Sequence, residues 1–118
     1  MKKLFALLIA AGLLFSLSAC AGGSETDERT LDQFKEAIIA GGYVIEDEDT
    51  PLYELIDATN GVLFYANGEI VVIYEFADAA ELKKAKKDHA EINSFETNGK
   101  FALETSVTEV IEIFNSVE

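Results

Sequence analysis

Val62-Leu63-Phe64-Tyr65-Ala66-Asn67-Gly68-Glu69-Ile70-Val71-Val72-Ile73-Tyr74-Glu75-Phe76 is the stretch on which the fold turns. Asn67-Gly68 is a pair favoured in two-residue hairpin turns. Both central positions of such a turn take positive φ, which Asn tolerates and Gly adopts without a Cβ penalty. The β-branched and aromatic residues on either side make each arm a strand. The second arm, Ile70 to Tyr74, is apolar at successive positions, so both of its faces need cover. A central place in the sheet is therefore predicted for it.

Downstream of the hairpin, Asp78 and Glu81 have the spacing of a capping box. They predict a helix running to about His89–Ile92, with Leu82, Ala85, His89 and Ile92 on its inward stripe. Asn98-Gly99 signals a second hairpin, joining Ser94–Thr97 to Lys100–Glu104. Ser106 and Glu109 are spaced to cap a terminal helix whose Val107, Val110, Ile111 and Phe114 fall on one face. Upstream, Thr50-Pro51 opens a short helix through about Asp57, and Asn60-Gly61 ends it. Tyr43-Val44-Ile45 reads as a short strand, and Glu46-Asp47-Glu48-Asp49 as a solvated acidic loop. Thr30 and Gln33 form a further capping box ahead of Leu31, Phe34 and Ile38, and Gly41-Gly42 stops that helix. Hairpins interleaved with amphipathic helices predict one α+β domain over residues 30–118, a small, mainly antiparallel sheet with helices packed on it. The pattern leaves the strand order open.

A different logic governs the first residues. Lys2 and Lys3 precede the uncharged apolar run Leu4 to Phe15, and Leu17-Ser18-Ala19 supplies the small residues of a cleavage site. Residues 1–19 thus read as a cleaved signal segment. A retained transmembrane helix is the alternative, but the run is shorter than the roughly 20 residues a bilayer requires. Residues 20–29 are small, polar and charged after Cys20, and read as a flexible tether. Leu17-Ser18-Ala19-Cys20 resembles the lipobox of bacterial lipoproteins. That resemblance implies cleavage between Ala19 and Cys20, a diacylglyceryl group on the Cys20 thiol, and a position on the extracytoplasmic face of the bacterial cell membrane. From about Thr50 onward the chain is also similar to small Gram-positive lipoproteins of unknown function. Gly61-Val62-Leu63-Phe64-Tyr65, Ile73-Tyr74-Glu75-Phe76 and Asn98-Gly99-Lys100-Phe101-Ala102-Leu103-Glu104-Thr105 carry this likeness, which implies an exported, anchored domain and transfers no catalytic residue.

Charge narrows the partners. The formal net charge is −13, and removal of Lys2 and Lys3 with the signal takes it to −15. This opposes nucleic acid, which needs a basic footprint, and it leaves membrane attachment to the lipid. Cys20 is the only cysteine, so once acylated it leaves no thiol for a disulfide, a thiolate metal site or a nucleophile. Stability must then come from the core alone.

Each candidate for chemistry has a plainer reading beside it. His89 is the sole histidine; a general base or metal ligand is the functional reading, a packing histidine at the core's edge the simpler one. Asp88 cannot orient it, because adjacent residues on a helix point apart. Glu46–Asp49 offers oxygen ligands suited to calcium but lacks the spacing of a calcium loop. Lys83, Lys84, Lys86 and Lys87 could meet lipid head groups or an anionic wall polymer, with Glu81, Asp88 and Glu91 diluting their field; a solvated outer face is the simpler reading. Tyr43, Tyr53, Tyr65 and Tyr74 read as core aromatics before they read as a ligand groove. Ser24, Ser94, Ser106 and Ser116 lie in no nucleophile elbow, and no glycine-rich phosphate loop or cofactor motif occurs.

The expectation is a non-enzymatic, lipid-anchored surface protein whose acidic domain binds a protein or cell-wall partner. A carboxylate-dependent surface enzyme is one alternative. Another is a precursor whose Leu13–Ala19 fragment, similar to those some Gram-positive lipoprotein signals release, acts as a pheromone.

Overall fold

The chain is described by a computed structural model over residues 27–118; the signal segment, Cys20 and most of the tether lie outside the described residues. In chain order come α1 (Leu31–Ala40), β1 (Ile45–Asp49), β2 (Asn60–Ala66), β3 (Glu69–Glu75), α2 (Ala79–Asp88), β4 (Glu96–Asn98), β5 (Phe101–Thr105) and α3 (Thr108–Ser116). Single 3₁₀ segments lie at Tyr53–Ile56 and Ala90–Ser94. The five strands make one antiparallel sheet in the order β1-β2-β3-β5-β4. The α+β architecture is therefore as predicted. Asn67 and Gly68, at φ 51° and 87°, close the decisive hairpin, and β3 occupies the centre of the sheet.

Period-two alternation divides the sheet residues between two cores. On one face, Phe34 and Ile38 of α1 and Val110 and Phe114 of α3 pack against Phe64, Val71, Ile73, Phe101 and Leu103. Phe34 is the hub, its ring 4.4 Å from that of Phe101 and 5.0 Å from that of Phe114. On the opposite face, Leu82 and Ala85 of α2 join Ile56, Phe76, Ile92 and Ala102. This second core is smaller and covers only part of its side of the sheet.

Several local expectations are corrected. The first strand is Ile45–Asp49 rather than Tyr43–Ile45, so the acidic run is an edge strand and not a loop. An edge strand pairs its backbone on one side while its side chains stay in water, so four acids do not exclude it. Its register against β2 shifts between Glu46 and Asp49, with Asp47 at φ 54°. Thr50-Pro51 opens no capped helix. One 3₁₀ turn follows, ended by Asp57 at φ 66°, which frees Asn60-Gly61 to begin β2. A Cβ at Gly61 would approach Pro51 Cγ to 2.9 Å, so this glycine is needed where residues 51–53 cross the strand. The second hairpin turns on Gly99-Lys100 rather than Asn98-Gly99, since Asn98 pairs with Phe101. Gly99 alone there takes positive φ, 63°, as in a turn with glycine at its first central position. Ser106 does not cap α3: the flanking residue is Val107, whose N–H donates to Thr105 Oγ1 at 3.3 Å.

The cap of α1 is as predicted, with Thr30 and Gln33 bonded reciprocally. Packing nevertheless starts before it, at Asp27. Arg29 donates to both carboxylate oxygens of Asp27, to Asn98 Oδ1 at 3.0 Å and to the Val117 carbonyl at 2.8 Å. Its guanidinium lies 5.4 Å from the Phe34 ring centre and 5.5 Å from that of Phe101.

Candidate functional site

The uncovered part of the second sheet face forms a groove. Its floor is built by neighbouring strands: Leu63 of β2 pairs with Val72 of β3, and Val72 with Glu104 of β5. Tyr74 follows two residues on, stacked on Phe95 with ring centres 5.8 Å apart and planes nearly parallel. The 3₁₀ turn after Pro51 raises one wall, with Leu52 and Leu55; Ser94 and Phe95 raise the other. The open groove between them has a volume of about 550 Å³. A contiguous recess of about 380 Å³ continues past Glu104 towards Ile70 and Ser106. Both volumes fall in the range of ligand sites, roughly 300–1,000 Å³.

The groove is apolar with acidic markers. Leu52 and Leu55 are 78% and 69% exposed, and Ile70 44%. Glu91 and Glu104 reach the floor, and burial together with these two carboxylates pushes the Tyr74 hydroxyl above its ordinary pKa. Two carboxylates beside an apolar floor favour a ligand that brings positive charge on an apolar stem. Sequence reasoning missed Leu52 and Leu55. The available signal was a pair of leucines in a segment too short to bury them both.

The other candidates are dispersed. His89 Nε2 lies 3.0 Å from Asp57 Oδ2, so the histidine at the core's edge has an acid from a distant turn, not Asp88, as its partner. Among the described residues no hydroxyl is bonded to its other ring nitrogen. Nor do any three His, Cys, Asp or Glu side chains gather as a metal site among the described residues; within Glu46–Asp49, Glu48 instead accepts from Lys35 Nζ at 2.8 Å. Tyr43 donates to Glu109 Oε1 at 2.9 Å, and burial and this carboxylate raise its pKa. Tyr53 and Tyr74 pack on the second core, Tyr43 on the first, and Tyr65 is partly exposed. Ser94 Oγ donates to the Glu91 carbonyl and Ser116 Oγ to that of Ile113; Ser24, Ala19 and Cys20 lie outside the described residues. No described helix is long and apolar enough to cross a membrane.

Comparison with protein-family models, with curated proteins and with solved structures returns no match.

Proposed function

We propose that this protein is a surface lipoprotein, held on the extracytoplasmic face of a bacterial membrane by a diacylglyceryl group on Cys20, and that its domain is a non-enzymatic binding module. Support for the anchor is the order of Lys2-Lys3, the apolar run and Leu17-Ser18-Ala19-Cys20. Support for binding is the half-covered sheet face. Two exposed leucines on one wall of a strand floor, Leu52 and Leu55, cost solubility unless something uses them, since a buried alternative for such side chains is worth about 1.5–3 kcal/mol each. The partner fits along the groove, with apolar groups on Leu63 and Val72 and a cation near Glu91 and Glu104.

Fractionation of cells producing the wild type and Cys20→Ala tests the anchor. The wild type stays with the membrane and its amino-terminal peptide carries the mass of diacylglycerol; the variant leaves the membrane fraction. Retention of the variant sinks the anchor. A carboxylate enzyme is the second reading, favoured by Glu91 and Glu104 acting together on one tyrosine. Loss of a hydrolytic activity on surface polymers in Glu104→Gln, with folding unchanged, would turn the assignment to catalysis.

A further inference from the structure

We infer that the lysine face of α2 lies against the anionic bilayer surface, giving the protein a second, electrostatic contact beside its lipid. The inference rests on the anchor proposed above. Of the Lys and Arg side chains among the described residues, Arg29, Lys35 and Lys100 each lie within ion-pair distance of a carboxylate. The other four, Lys83, Lys84, Lys86 and Lys87, all belong to α2 and none has such a partner among the described residues. At about 100° per residue the four lysines share a stripe about 160° wide, with Lys83, Lys84 and Lys87 on the side away from the buried Leu82 and Ala85 and the half-buried Lys86 on its flank, about 40° from Leu82. Glu81 and Asp88 fall together beyond Lys84, outside that stripe. The four cations are therefore a face, in a chain whose charge is otherwise acidic.

The amino-terminal end of α2 lies near the point where the proposed tether joins the domain. Asp27 Oδ2 accepts from the Lys100 backbone N–H at 3.3 Å. The Lys100 carbonyl accepts from the Phe76 N–H at 2.9 Å, and Asp78 caps α2 two residues later. Only residues 21–26 separate Cys20 from Asp27. Fully extended, that length spans about 25 Å, which bounds how far the start of α2 can stray from the head groups. Acids on the far side of the domain do not cancel the attraction, because charges farther from the surface than the Debye length of about 8–10 Å are screened; Glu81 and Asp88 on α2 itself lie within that length and weaken it. One lipid signal combined with a basic patch is a recurrent way to fix a protein's attitude on a membrane.

The test uses the full lipidated protein, reconstituted into vesicles of phosphatidylcholine alone or of phosphatidylcholine mixed with phosphatidylglycerol. Amine acetylation is read lysine by lysine by mass spectrometry. Labelling at Lys83, Lys84 and Lys87 should fall at least about fivefold in the anionic vesicles, and about 1 M salt, where the Debye length is about 3 Å, should restore it. Equal labelling in both vesicles overturns the inference. So does protection in neutral vesicles on adding soluble polyphosphate with none from phosphatidylglycerol, which would assign the face to a wall-type polyanion. A chain that lacks the diacylglycerol mass and fails to float with either vesicle refutes the anchor itself, a separate and recognisable failure.

Discussion

Arg29 donates to the carbonyl oxygen of Val117 at 2.8 Å, tying the residue before the cap of the first helix to the residue after the last. Asn98 completes the tie. Its side-chain amide donates to the carbonyls of Phe114 and Val117 and its oxygen accepts from Arg29. One cation thus closes the end of α3, the second hairpin and the start of the domain over the rings of Phe34 and Phe101.

Acid should open this closure. Hydrogen bonds from Arg29 hold the Asp27 carboxyl down from 3.8 to about 2. A depressed carboxylate adds stability above its unfolded pKa and loses it as pH falls through the folded one. Unfolding free energy should therefore drop by about 2 kcal/mol between pH 4 and pH 2. Denaturant titrations across that window should show the drop in the wild type and a flatter profile in Asp27→Asn.

Gly99→Ala should destabilise by about 1–3 kcal/mol. The residue stands at φ 63°, and a Cβ there would collide with Asp27 Oδ2 and Arg29 Nη2. Thermal unfolding checks the loss. In an Asp27→Ala background the collision is partly relieved, so the penalty should shrink towards that of φ alone.

Asp57 separates backbone shape from charge. It holds φ 66° at the end of the 3₁₀ turn and faces His89, with its carboxylate 65% exposed. Asn tolerates this left-handed region and Ala does not. Asp57→Asn should stay within about 0.5 kcal/mol of the wild type and Asp57→Ala should lose about 1 kcal/mol. Equal losses would make the contact with His89 the dominant effect.

Phe34→Ala removes the ring shared by α1, α3 and β5 and should cost about 3–5 kcal/mol. For a domain of this size that is a large share of the total, about 5–15 kcal/mol. Near-ultraviolet circular dichroism and the denaturation midpoint report it.

Leu55→Asp should leave stability within about 0.5 kcal/mol, since the side chain is already 69% exposed. Chemical cross-linking on intact cells should lose the partner captured through the groove. Retained capture would move the binding surface elsewhere.

Legibility followed periodicity. The hairpin, the centrality of β3, the cap of α1 and the apolar stripes of α1 and α3 rest on repeats and turn chemistry within a few residues, and all could be read directly. Failures came where tertiary pairing decides. Glu46–Asp49 is a strand because β2 offers it a backbone partner, a fact no property of the acids reveals. Gly99-Lys100 forms the turn because Asn98 is drawn into the ladder by contacts to α3. The groove was hidden for a related reason: its walls come from residues 51–55 and 94–95, far apart in sequence. The four lysines of α2 were plain as composition, whereas the link from Asp27 to the start of their helix depends on two hydrogen bonds made by the Lys100 backbone.

On the anchor proposed above, the outermost strand of the sheet, with its run of acids and its irregular register, matters for a molecule confined to two dimensions. Copies tethered to one membrane meet at densities that would drive unprotected strand edges to zip together into fibrils. A negatively charged, kinked border repels its own kind at that distance, and the opposite border offers only three residues to pair. Held on a membrane as proposed, copies of this chain can therefore crowd without aggregating.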